Sequence, residues 1–217
     1  MKQVLAVIFR NLKSDFRDPN SIFGSLLFLI SSLFVCYISI NRIASIPTWV
    51  ALFWIIVIFA SFNAVAKSFV QETRDKMIYI YSLMSPAQFI IGKMLYNGLL
   101  LILMSLIAIL IYSGLFEMAI GNLPMLLIGI LLGSACIGMI LSLLSSIASK
   151  ASGNLTLMAI LGLPIMLPLI LTATKFTKNA VDGLDWSIQY KYLIVLIGLN
   201  IVCGALSVVL FPYLWRD

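Results

Sequence analysis

The chain has 217 residues, of which 62% are hydrophobic and 10% are charged, with a formal net charge of +6. An ordinary soluble domain is about half apolar and about one quarter charged, so this composition excludes a soluble enzyme, a disordered tail and a disulfide-stapled secreted module. The sequence contains no histidine, which also excludes mechanisms that need an imidazole base, proton shuttle or ligand. We therefore predict an integral membrane protein.

Residues 1–19 have the pattern of an amphipathic helix. Apolar side chains recur at helical spacing on one face, and basic side chains lie mostly on the other, as in a helix in the plane of the lipid headgroups. The apolar set is Leu5, Ile8, Phe9, Leu12 and Phe16, and the basic set is Lys2, Arg10, Lys13 and Arg17. We predict an interfacial helix on the cytoplasmic face; the alternative is a solvated basic leader.

Six charge-free stretches follow, each long enough to cross a bilayer. A spanning helix needs about 20 apolar residues because the hydrocarbon core is about 30 Å thick. The predicted fold is an all-α integral membrane protein with six transmembrane helices in one domain, residues 1–217. The spans lie at about residues 21–40, 48–66, 94–115, 123–147, 154–174 and 192–212.

The distribution of positive charge predicts the orientation of these spans. Ten of the 14 Lys and Arg residues lie on the side that carries both termini, and four lie on the other. Short loops rich in Lys and Arg stay in the cytoplasm. We expect both the N-terminus and the C-terminus to be cytoplasmic.

Two features belong to the predicted outer surface. Trp49 and Trp54 lie near the outer end of the second span, where an aromatic belt is expected. Residues 175–191 contain most of the charges on this side and are predicted to form an outer loop between the last two spans.

Residues 67–93 form the longest cytoplasmic connection. Val70 and Met84 belong to an apolar helical stripe, and charged residues lie off that stripe. Ser85–Gln88 then reads as a helix start, with Ser at the N-cap, Pro at the first helical position and Gln two residues later. A short amphipathic surface helix can dock in a partner's groove, with its charges setting the register. The predicted interface is Gln71, Glu72, Thr73, Arg74, Asp75, Lys76 and Met77. The alternative is an ordinary solvated loop.

The later spans contain two kinds of backbone signal. Gly129, Gly133 and Gly138 in the fourth span favour close approach between helices, within one chain or between chains. Pro164 and Pro168 in the fifth span remove two backbone donors from one face and predict a kink or break.

The residues that support chemistry in other membrane proteins are missing from the predicted spans. No charged residue lies within a span, which argues against an ion-coupled carrier. The glycine before Lys93 lacks the remaining residues of a phosphate-binding loop. The three cysteines fall in separate spans, where inert buried thiols are expected. We predict no catalytic, cofactor-binding or metal-binding residue, and therefore no enzyme.

Four motifs in the chain form a recognisable series. They are Arg17–Pro19, Ala51–Trp54 with Phe59–Ser61, Leu83–Pro86 with Ile91–Lys93, and Leu163–Pro168. In this order and at this spacing they resemble the heme exporter protein B family of the cytochrome c maturation system, and the resemblance covers essentially the whole chain.

The resemblance implies a permease subunit of an ABC transporter of the type-2-exporter kind in a bacterial inner membrane. It implies a separate cytoplasmic ATPase as partner, two copies of each subunit, and further maturation subunits that load heme onto a periplasmic chaperone. ATP would act through the partner, and heme would be a substrate rather than a resident cofactor. The role is heme export or ATP-driven release of the heme-loaded chaperone. The absence of histidine favours the mechanical role, because imidazole is the usual heme ligand.

Two other functions are compatible with the same sequence. One is a membrane scaffold that recruits heme-handling proteins without transport. The other is an ABC permease for another apolar substrate, such as a lipid or a polyketide. Nucleic acid is not an expected partner.

Overall fold

The computed structural model describes residues 2–17, 20–40, 45–70, 84–117, 119–150 and 155–216. These residues form seven helices and no strand. A bilayer favours this solution because a helix satisfies its backbone hydrogen bonds internally, where water is absent. In chain order the helices are α1 (Lys2–Arg17), α2 (Asn20–Ser39), α3 (Ile46–Val70), α4 (Pro86–Phe116), α5 (Leu123–Lys150), α6 (Leu155–Val181) and α7 (Trp186–Arg216).

Six of these helices, α2 to α7, are long and apolar enough to cross a membrane. The predicted multi-pass membrane fold is therefore confirmed. Several helices extend beyond their predicted spans, and residues 175–191 are not a loop, because α6 continues to Val181 and α7 begins at Trp186. The prediction was wrong because a lysine ends an apolar stretch without ending a helix. Lys175 and Lys178 lie in the last turns of α6, where a positive charge stabilises the helix dipole.

The central helix of the bundle is α5, which packs against α3, α4, α6 and α7. Its buried residues Leu126, Ile130, Ile137 and Leu141 lie in the middle of one hydrophobic core. By contrast, α2 and α7 lie at the periphery and expose apolar side chains along most of their length. Lipid is the solvent that suits such surfaces.

The bundle has two distinct ends. At the α1 end, Val7 of α1, Phe89 of α4 and Phe211 of α7 belong to one small apolar cluster. At the far end, the turn after α4 packs backbone to backbone against the turn after α6, at Gly121 and Gly183. Gly183 has a φ of +75°, a left-handed conformation that glycine adopts without steric cost.

The two tryptophans predicted for an aromatic belt lie inside the bundle. Trp49 and Trp54 are each 1% exposed. Trp49 stacks on Tyr112 with ring centroids 4.8 Å apart, and Trp54 Nε1 donates a hydrogen bond of 3.0 Å to Thr177 Oγ1. The prediction of a belt was wrong because position near a membrane surface does not tell whether a helix face points to lipid or to protein.

Candidate functional site

The first part of α4 lies at the end of the predicted cytoplasmic connection, residues 67–93, which contains the predicted partner interface. We call residues 85–96 the root of α4. Before it, α3 ends at Val70, and the description resumes at Met84. The predicted interface residues Gln71, Glu72, Thr73, Arg74, Asp75, Lys76 and Met77 lie outside the described residues. Their role in coupling stays a prediction.

The root of α4 begins with a local hydrogen-bonded cap, as predicted. The backbone N–H of Ser85 donates to Gln88 Oε1 at 3.1 Å, and the Ser85 hydroxyl donates to the same oxygen at 2.8 Å. Pro86 occupies the first turn, where a missing N–H has no consequence for the helix. The start of this helix is therefore set by four neighbouring residues.

Helix α1 docks on the root of α4 at a glycine. A Cβ atom at Gly92 would lie 2.7 Å from Cβ of Val7, which is closer than real contacts allow. Close by, the Arg10 guanidinium lies 5.8 Å from the ring centroid of Phe89. Phe89 in turn stacks on Phe211 of α7, with centroids 5.8 Å apart. The root of α4 is thus held between α1 and the end of α7.

A second connection between α1 and α4 lies one helical turn further along. The hydroxyl of Tyr96 donates a hydrogen bond to Asp15 Oδ2. These two side chains, with Ser25 and Asn97, supply the polar lining of a cavity of about 10 Å³. A cavity of that volume holds about one water molecule, and a water needs two to four polar partners. The junction of α1, α2 and α4 therefore contains several polar side chains among its apolar ones.

Lys93 lies inside the root of α4 and is 1% exposed. The sequence predicts that this lysine ends the cytoplasmic connection and that the span begins one residue later. The structure corrects this placement, because the helix starts at Pro86 and continues through Lys93 into the membrane-spanning part. A buried lysine is costly unless its surroundings compensate the charge, which marks it as a residue of structural or functional importance. The signal was available in the sequence, since a capping box at Ser85 puts Lys93 two turns into a helix.

The three predicted packing glycines face other helices of the same chain. A Cβ at Gly129 would lie 2.6 Å from the ring of Phe176 in α6, and a Cβ at Gly133 would overlap the ring of Trp54 in α3. The missing side chains make room for two large aromatic rings.

Gly138 has a different neighbour, the backbone of α4. A Cβ at this position would lie 2.7 Å from Cα of Gly98 and 2.8 Å from its nitrogen. Beside this crossing, Asn97 Nδ2 donates a hydrogen bond of 2.8 Å to Ser142 Oγ. The close approach of α4 and α5 therefore brings two polar side chains into bonding range within the apolar core.

The buried polar groups along α5 bond to one another and to backbone carbonyls. Ser105 and Ser134 hydroxyls lie 2.6 Å apart, and Asn200 Nδ2 donates to the carbonyl of Leu132 at 3.1 Å. In a bilayer such bonds fasten helices together. The polar groups along α5 therefore contribute to helix packing in the interior of the bundle.

Two of the three cysteines, predicted to be inert buried thiols in separate spans, are neighbours in the structure. Cys136 of α5 lies in the hydrophobic core, and Cys203 of α7 packs against that core beside it. In the described part of the chain, no group of three or more Cys, Asp or Glu side chains is placed to hold a metal ion. A thiol in apolar surroundings is a poor nucleophile, so the pair acts in helix packing.

Pro164 and Pro168 lie within α6, which continues as one helix from Leu155 to Val181. The predicted break does not interrupt the helix. Both prolines are exposed on the outer surface of the chain, and the hydroxyl of Thr172 donates to the carbonyl of Pro168 at 2.7 Å. This bond does not replace a lost N–H donor, because the carbonyls that Pro164 and Pro168 leave without one belong to Ile160 and Pro164. Proline is nevertheless tolerated in spanning helices.

Comparison with known families agrees with this architecture. The profile of the family described as CcmB protein matches residues 2–213, which is essentially the whole chain. A comparison with curated proteins finds no match. The chain therefore belongs to the CcmB family, whose members are multi-pass inner-membrane components of a heme exporter for cytochrome c maturation.

Proposed function

We propose that this chain is the permease subunit of an ABC transporter complex for cytochrome c maturation, with ATP hydrolysis in a separate cytoplasmic ATPase. The family match over essentially the whole chain carries the proposal. Six potential spans and an amphipathic α1 support it. Both termini and the start of α4 are on the cytoplasmic side of the membrane in this proposal, because ten of the 14 basic residues are on that side.

The ATPase docks on the segment between α3 and α4 in this proposal. Residues 71–77 combine four charged side chains with an apolar stripe, which suits a groove that reads both charge and shape. In the sequence, residues 78–84 follow the segment and lead to Ser85, the cap of α4. In this proposal, force on the segment reaches α4 through that connection.

The root of α4 suits the transmission of such a force. α4 has 31 residues, so at 1.5 Å per residue it is about 46 Å long and reaches the far end of the bundle. At its root it is fastened to α1 by Gly92 and Tyr96, and to α7 through Phe89. A displacement of the docking segment would move α1, α4 and the end of α7 together.

The work of the complex is then heme export or ATP-driven release of a heme-loaded periplasmic chaperone, and we favour the second. The chain has no histidine to ligate heme. The polar groups of its interior are used in helix packing, as at Asn97 and Ser142. Release of the chaperone by a conformational change needs neither a heme ligand in this chain nor a path for heme through it.

The permease is proposed to act as a homodimer with two ATPase copies. ABC ATPases hydrolyse ATP in pairs, and one chain offers one docking segment. Crosslinking in native membranes is expected to give a dimer, and a product confined to monomers would contradict this part of the proposal.

Reversal of two docking charges tests the coupling. The double variant Glu72→Lys with Asp75→Lys should lose co-purification of the ATPase in mild detergent and lose cytochrome c maturation. The matched control, Glu117→Lys with Asp182→Lys, reverses two acidic residues at the far end and should retain both. Retention of ATPase binding and of maturation by the first variant would show that this segment is not the docking site. Maturation that persists with an ATPase-inactive partner would favour the scaffold function.

A further inference from the structure

Helix α1 has three different sides, and only one of them packs on the bundle. The packed side contains Val7 and Asn11, which are 1% and 7% exposed, and it faces Gly92 of α4. The most apolar side points away from the protein, with Phe9 at 67% and Phe16 at 77% exposure. The tertiary contact of α1 therefore leaves its apolar side uncovered by the described part of the chain.

The position of α1 limits what can cover this apolar side. α1 ends at Arg17 and α2 begins at Asn20, so two residues separate α1 from a spanning helix. The first turns of α2 expose Phe23 and Leu27 in the same region. The apolar side of α1 is thus continuous with the apolar surface of a span, where lipid is the neighbour.

The charged residues of α1 also differ between its outer side and its packed side. Lys13 and Arg17 are exposed and lie one helical turn apart. The one acidic residue among the described part of α1, Asp15, is turned to the opposite side and accepts a hydrogen bond from Tyr96. The outer surface of α1 therefore combines apolar side chains with positive charge, and its negative charge is withdrawn into the junction with α4.

We propose that α1 is a binding surface for anionic phospholipid. Lys13 and Arg17 contact the phosphate groups of the headgroups, and Leu5, Phe9, Leu12 and Phe16 enter the upper acyl region. A basic side chain near a membrane surface gains affinity from anionic lipid, and a partly inserted apolar side holds the helix at that depth. This proposal concerns residues of α1 and does not depend on the identity of the substrate.

The test measures which lipids the full chain retains. The protein is reconstituted in nanodiscs of equal parts phosphatidylcholine and phosphatidylglycerol, released, and analysed by native mass spectrometry for bound phosphatidylglycerol. The variant Lys13→Gln with Arg17→Gln should bind phosphatidylglycerol more weakly, by about fivefold for each removed charge. Both side chains are exposed, so the variant is expected to fold, and its melting temperature in detergent verifies this.

The matched control removes two exposed lysines at the far end, Lys175→Gln with Lys191→Gln. It has the same net charge as the first variant and should lose less phosphatidylglycerol, because these lysines do not lie beside a membrane-inserted apolar side of α1. Equal losses in both variants would show that only overall charge matters, which would overturn the proposal. Unchanged lipid retention together with loss of the ATPase in the α1 variant would also overturn it, because α1 would then be a protein-docking surface.

Discussion

The crossing of α4 and α5 at Gly138 offers a sharp test of the packing, through the substitution Gly138→Ala. The added Cβ would lie 2.7 Å from Cα of Gly98, whereas ordinary contact begins at 3.4 Å, so the two helices must separate by about 0.7 Å. The neighbouring group is backbone and cannot rotate away. The hydrogen bond between Asn97 and Ser142, now 2.8 Å long, lies beside the crossing and would lengthen with it.

The expected loss of stability is moderate. Overpacking of a tight core costs about 1–3 kcal/mol, and replacing glycine by alanine within a helix returns up to about 1 kcal/mol. The net destabilisation is about 0–2 kcal/mol, and the difference from a glycine-to-alanine change without overpacking is about 1–3 kcal/mol. For a chain of this size, 1 kcal/mol corresponds to a change of about 2–4 °C in melting temperature.

Gly198→Ala in α7 is the matched control, because no atom lies within 4 Å of its added Cβ. It should be neutral or slightly stabilising. Both variants are heated in detergent, and the folded fraction is measured by fluorescence-detected size-exclusion chromatography. If Gly138→Ala melts no lower than Gly198→Ala, the close backbone contact between α4 and α5 is wrong.

Two further predictions concern contacts that join distant parts of the chain. Tyr96→Phe removes the hydrogen bond to Asp15 and should increase proteolysis of α1 in detergent, whereas Tyr112→Phe at the far end should leave α1 protected; equal cleavage of both would contradict the proposed fastening. A membrane-permeant oxidant should join Cys136 to Cys203, so that one of the three cysteines still reacts with maleimide after denaturation. Three reactive thiols after oxidation would contradict the close placement of these two sulfur atoms.

The predicted elements whose signal is local agree best with the structure. The start of α4 follows from Ser85, Pro86 and Gln88, because a capping box is formed by residues three apart. The amphipathic α1 follows from helical spacing alone. In both cases the interacting groups are neighbours in the chain, so no knowledge of the rest of the fold is needed.

The errors arose where a charged or aromatic residue was interpreted without its partners. Lys93 looked like the end of a loop but is buried in α4. Lys175 looked like the start of an outer loop but lies within α6. Trp49 and Trp54 looked like a belt but fill the core. Lysine and tryptophan occur both at a membrane surface and within a helix bundle. Which of the two environments a given residue occupies depends on which helix lies opposite it.

The candidate site also has features that the sequence predicted and features that it did not. The sequence pointed to the segment before Ser85 as the place where a partner docks, and this remains a prediction. It did not reveal that Tyr96 bonds to Asp15, 81 positions earlier in the chain, or that Phe89 stacks on Phe211 near the other terminus.

Hydrophobicity belongs to each segment separately, so composition and spacing were sufficient to establish a membrane protein, six spans and a basic amphipathic helix. The partner of each helix face depends on contacts between residues far apart in the chain. Those contacts place Gly138 against Gly98, turn Asp15 inward, and leave the apolar side of α1 outward. A span can rotate about its axis without any change in its hydrophobicity, and packing against its neighbours selects one rotation.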